Sequence, residues 1–104
     1  MAWLWLFLSG LLEVVWSGAM KASEGFTKPW PTALMAVSAL VGLWLLSLAM
    51  RSLPLGVAYP VWVGIGAVGA FLLGVFAFGE TASALRILSV GLIVAGIIGL
   101  RLSA

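Results

Sequence analysis

Four long apolar stretches separated by three short polar ones set the plan of this 104-residue chain. The first, Ala2–Met20, reads AWLWLFLSGLLEVVWSGAM and is followed by Lys21–Pro31 (KASEGFTKPWP), which Gly25 and two prolines punctuate. A second runs from about Thr32 to Met50, ending before Arg51 and the turn Ser52–Gly56. The third spans about Val57 to Phe78; Gly79–Ser83 (GETAS) then leads into the fourth, about Ala84 to Leu102. Each stretch has roughly the 20 residues a helix needs to cross hydrocarbon. The pattern predicts an all-α integral membrane protein, a single domain over residues 1–104 with transmembrane helices at about 2–20, 32–50, 57–78 and 84–102. Lipid-facing and buried positions are equally apolar here, so polar and small residues carry the remaining information.

Composition strengthens this picture. Only 8% of residues are charged, against about 25% in a soluble domain. No basic residue precedes the first stretch, Glu13 interrupts it and three more follow, which argues against a cleaved secretory signal. Cysteine and histidine are absent; disulfides, thiolate chemistry and the usual zinc sites are excluded, and no metal or cofactor is expected. The net charge of +2 rests on eight charged residues with no basic cluster, so no nucleic-acid partner is expected.

Glu13 is the one charge inside the first stretch. A carboxylate costs several kcal/mol or more to place in hydrocarbon. A chain keeps one there when it faces a bundle interior, a partner or a watery path. Desolvation disfavours its charged form, which suits a site that exchanges a proton for a cation. Ser9, Glu13 and Ser17 are spaced by four and Trp16 follows Glu13 by three, so they share a helical face. Gly10 is expected to leave space beside the carboxylate. The plainer reading pairs Glu13 with a buried base, yet Lys21, Lys28, Arg51, Arg86 and Arg101 all lie near helix ends or in turns. The counter-charge is then a substrate, a proton or a group from another subunit. Nothing suggests an enzyme, since Glu13 has no nucleophile, cofactor motif or metal-ligand cluster beside it.

In the third stretch Tyr59 and Trp62 share a face near the start, either as an interfacial pair or as aromatic faces for a cation. Gly64, Gly66, Gly69 and Gly74 permit close packing or bending. Trp3, Trp5 and Trp30 fit an aromatic belt at helix ends, and Trp44 packs against lipid or a neighbour. In the fourth stretch Gly91, Ala95 and Gly99 recur at intervals of four with Gly96 beside them, a small-residue seam suited to helix association. Glu80 and Arg86 belong to the solvated loop edge and are close enough in sequence to pair.

One protomer with a single buried carboxylate looks too small for transport. A dimer would bring two Glu13 side chains around one cation and couple their titrations. Lys21, Lys28 and Arg86 lie on one face, Arg51 and Arg101 with the terminal amine on the other. That near balance gives almost no positive-inside bias, so both orientations are open. An inverted pair would supply the antiparallel symmetry that many transporters use.

Several segments closely resemble the small multidrug resistance family of four-helix exporters. They are GLLEVVW at Gly10–Trp16, GFTK at Gly25–Lys28 with Pro31, and LPLGVAY at Leu53–Tyr59. Trp62, Gly64–Ile65–Gly66, Gly79–Glu80 and the last glycine seam extend the likeness over essentially the whole chain. The resemblance implies an antiparallel, dual-topology homodimer in the bacterial inner membrane, with proton import driving export of a small organic cation. Trp16 resembles the guanidinium-exporter subtype, where the quaternary-ammonium exporters typically carry glycine. By position, Glu13 would be the shared proton and substrate carboxylate and Trp16 would orient it. Tyr59 would contact substrate and help gate, Trp62 would line the pocket, Gly10 would shape it, and Gly91–Ile97 would form the dimer.

Three positions depart from the family pattern. Gly42 stands where that subtype usually has serine, which implies a lost hydroxyl and a larger cavity; Ser38, one turn away, is a candidate to compensate. Pro60 replaces the usual alanine, at little cost in a first turn but with loss of a hydrogen bond deeper in the helix. Val63 replaces a small polar residue. These changes imply a site open to substituted guanidiniums or small hydrophobic cations. The alternatives are a broad quaternary-ammonium or aromatic-cation exporter, a non-transporting membrane assembly subunit and a channel.

Overall fold

Hydrocarbon offers no partners to backbone amides and carbonyls, so each apolar run satisfies them within itself. The computed structural model describes residues 1–103 and contains four helices: α1 (Ala2–Ala22), α2 (Pro29–Ala49), α3 (Leu55–Ala77) and α4 (Ala84–Ser103). All four are long and apolar enough to cross a membrane.

Helix ends differ from the expectation where local chemistry extends the helix. α2 starts at Pro29, three residues before the predicted Thr32. Pro29 and Pro31 occupy its first turn, where amides have no helical partner and the fixed φ of proline is already helical. They open the helix rather than delay it. The preceding turn is tied by Ser23, whose hydroxyl donates to the Met20 carbonyl at 2.7 Å and accepts from the Phe26 amide at 3.0 Å. Left-handed backbone at Glu24, Gly25 and Phe26 completes the reversal.

α3 begins directly after Pro54, which makes Pro60 its sixth residue. That position lies beyond the first turn. An amide there would have bonded the Gly56 carbonyl, and proline removes that bond.

α1 packs on both α2 and α3, and α4 packs on α3. The core is Leu6, Leu46, Ala49, Ala58, Val61 and Trp62. No residue of α4 is buried. Its contact with α3 is set at Gly64, whose missing side chain admits Ile97 and Ile93. The end of α4 returns to the start of α1, where the Arg101 guanidinium lies 4.5 Å from the Trp3 ring centroid. The resulting chain is flat, 40 × 34 × 16 Å along its principal axes.

Candidate functional site

Glu13 leaves α1 towards α3 and lies against Gly66. Its carboxylate occupies the space that a Cβ at position 66 would fill. Oε2 is buried without a hydrogen-bond partner. Among the described residues the one ion pair joins Lys28 to Glu24 at 3.6 Å on the exposed first turn. Among the described residues Glu13 therefore has no basic partner.

The aromatic set divides by burial. Trp62 is 7% exposed and sits in the core, with its indole Nε1 also lacking a partner. Tyr59 is 49% exposed, and its ring centroid lies 5.4 Å from that of Trp62 at a tilt of 48°. The expected shared face is present, with one ring anchored and the other open. Trp16 is half-buried on α1. Trp44 and Trp30 are exposed.

The serines do not gather around the carboxylate. Ser9 crosses to α2 and donates to the Gly42 carbonyl at 2.6 Å. Ser17 donates to Val14 of its own helix at 3.0 Å. Ser38 does not stand in for a missing hydroxyl at position 42, because it donates to the Leu34 and Met35 carbonyls. A hydroxyl in an apolar helix finds the nearest carbonyl of the preceding turn.

Two cavity expectations are corrected on packing grounds. Gly10 leaves no open space beside Glu13, since Ile65 of α3 fills its notch. Gly42 opens no larger cavity either. A Cβ there would meet Leu12 Cβ at 3.4 Å and the Ser9 carbonyl at 3.7 Å, which is ordinary contact. Nor do Glu80 and Arg86 pair: Arg86 Nη1 donates to the Thr81 carbonyl at 2.8 Å.

The α3 glycines act as approach points. Gly64 meets Ile97, Gly66 meets Glu13 and Gly69 meets Val14, in an unbroken helix from Leu55 to Ala77. Gly91, Gly96 and Gly99 of α4 meet nothing within their protomer, and Ala95 is exposed beside them. Pro60 is exposed and Val63 is 40% exposed, so both stand outside the protomer core.

Sequence reasoning missed two features. One is a cleft of about 740 Å³ between α1, α2 and the far end of α3, bordered by Val15, Gly18, Trp30, Leu34, Val37 and Leu73. Its lining is apolar and does not include Glu13. The other is a smaller crevice of about 180 Å³ between α1 and α3, reached by Ser17, Lys21 and Glu80. The spacing Gly66–Ala70–Gly74 was its signal, because it keeps one face of α3 low along this seam.

Glu13 is thus a carboxylate held among apolar helices with no ion pair among the described residues. The family described as "Small Multidrug Resistance protein" matches residues 1–93. The chain belongs to the small multidrug resistance family. Relatives of this small multidrug resistance chain include the "Guanidinium exporter" of Citrobacter freundii, 53% identical over 103 residues and covering 99% of this chain and 98% of its own. That of Yersinia pseudotuberculosis serotype I (strain IP32953) is 52% identical over 104 residues, the full length of both. That of Salmonella typhimurium (strain LT2) is 51% identical over 104 residues, with 100% and 99% covered. Family membership and the four apolar helices make it a multi-pass membrane protein.

Proposed function

We propose that the protein is a proton-coupled antiporter of the bacterial inner membrane that exports guanidinium and substituted guanidinium cations. The observation that carries this reading is the buried, unpartnered Glu13 Oε2 against Gly66. A cation or a proton satisfies it, and the two cannot do so together. Exchange follows from that exclusion: the deprotonated site takes the cation on one side, and protons displace it on the other. The names of the relatives support guanidinium as the cation.

The active unit is an antiparallel, dual-topology homodimer. Support comes from a protomer only 16 Å thick and from the unfilled glycine seam of α4. Two Glu13 carboxylates then share one cation between inverted copies. Tyr59, Trp62 and Trp16 line the pocket, the open Tyr59 ring offering its face to the cation.

Breadth of substrate is read from Gly42 and Val63, which supply no side-chain hydrogen bond near the site. Apolar surroundings discriminate less than a fixed polar network, so small hydrophobic cations are accepted beside guanidinium.

The decisive measurement is proteoliposome flux across a panel of cations with and without a pH gradient. Proton-coupled guanidinium flux is expected, with apparent affinity weakening as pH falls. Glu13→Gln is expected to abolish coupled flux while the dimer still assembles. Coupled flux retained by that variant would defeat the mechanism. Conduction without proton exchange would make the protein a channel, and binding without flux a membrane assembly subunit.

A further inference from the structure

The crevice between α1 and α3 places a second carboxylate on the seam that holds Glu13. Gly79, at φ +68°, turns the chain back over the end of α3. The Glu80 amide then donates to the Gly74 carbonyl at 3.0 Å. Its side chain folds into the notch at Gly74, where a Cβ would stand 2.6 Å from Oε1. The carboxylate therefore lies back along the helix instead of extending away from it.

Three observations join this group to Glu13. Gly66, Ala70 and Gly74 recur every four residues along one face of α3. Glu13 stands at the first of these positions and Glu80 at the last, about 12 Å apart along the helix axis. Ser17, one turn beyond Glu13 on α1, lines the crevice with Ala70, and the lining ends one turn short of Glu13 and Gly66. Lys21 borders the same crevice without an ion pair to Glu80.

Helix stability does not explain the arrangement. A carboxylate at a helix C-terminus opposes the macrodipole, and this one makes no ion pair to offset that. Access of a cation does explain it. Lys21 alone would repel a cation at this mouth, and an opposing carboxylate cancels that field and raises the local cation concentration.

Resting on the transport reading above, we infer that Glu80 is the outer station of the cation path. Set in the Gly74 notch opposite Lys21, it gathers small organic cations at the loop-facing mouth of the α1–α3 seam for delivery to Glu13. In an antiparallel pair, one such mouth opens on each membrane face.

Initial rates of guanidinium flux in proteoliposomes test this at low and high ionic strength. Glu80→Gln is expected to raise KM about threefold to fivefold at low salt with kcat unchanged, and the gap closes as salt screens the mouth. Lys21→Gln is expected to lower KM, and the double variant to return near wild type. Gly74→Ala keeps the charge but displaces it, and is expected to raise KM in the same direction as Glu80→Gln. An unchanged KM in Glu80→Gln, or a loss in kcat that salt does not alter, would overturn the inference while coupled wild-type flux left the transport reading intact. A wild-type protein without cation flux would defeat both.

Discussion

Gly66 decides where the Glu13 carboxylate stands. The space a side chain would occupy at that position holds the carboxyl group itself, so the two residues form one unit across the α1–α3 contact. The smallest possible enlargement tests it. In Gly66→Ala the new methyl displaces the carboxylate, and on the proposed exchange mechanism an acid moved off its position loses its cation geometry. Guanidinium affinity is expected to fall at least about tenfold, equivalent to about 1.4 kcal/mol of binding, with α-helical content unchanged. Isothermal titration in detergent checks the first outcome and circular dichroism the second. Gly42→Ser is the contrasting case, because a Cβ at that position makes only ordinary contacts with Leu12 and Ser9. It is expected to fold normally and to narrow the cation range towards guanidinium, read as the ratio of guanidinium to quaternary-ammonium flux. An unaltered ratio would remove Gly42 from the account of specificity.

At the scale of the helix, α3 combines a lost backbone bond with a run of close approaches. Pro60 frees the Gly56 carbonyl, while Gly64, Gly66 and Gly69 bring α4 and α1 against the same helix. Pro60→Ala restores one backbone bond. It is expected to stabilise the protein by about 1 kcal/mol, seen as a higher unfolding temperature in detergent, and to slow turnover if flexing at this turn accompanies the change of access. Faster turnover in the stabilised variant would separate Pro60 from the conformational step. The four apolar runs made the helices legible in the sequence, since length and uninterrupted hydrophobicity are all a spanning helix requires. The start of α2 was not legible, because proline opens a helix as readily as it breaks one. Glu13 stood out because its charge is isolated, and the Tyr59–Trp62 pairing followed from their spacing. The notches at Gly10 and Gly42 were misjudged because a glycine does not say what lies beside it: Ile65 fills the space at Gly10, and at Gly42 Leu12 and Ser9 stand at ordinary contact distance.

For the whole molecule, the question is what covers α4. This helix has no buried residue, packs on α3, meets α1 at its end where Arg101 lies over Trp3, and presents Gly91, Gly96 and Gly99 to empty space. A lipid-facing helix has no need of such a seam, because bulky apolar side chains serve equally well there. Small residues matter where another backbone approaches. Gly96→Leu separates these cases. A Cβ at position 96 meets nothing within the chain and the position is exposed, so the four-helix fold should persist with its spectrum and Trp62 environment unchanged. Across a seam between copies it would hold two helices apart. The expected outcome is a shift from dimer to monomer in lipid nanodiscs, with coupled cation flux falling in proportion to the dimer lost. A fully dimeric, active Gly96→Leu protein would show that α4 faces lipid and that the copies meet through another surface. Because the substitution lies far from Glu13 in sequence and adds no charge, loss of flux would report assembly rather than chemistry. The shared carboxylate pair would then depend on the helix that contributes no ionisable group to the membrane interior.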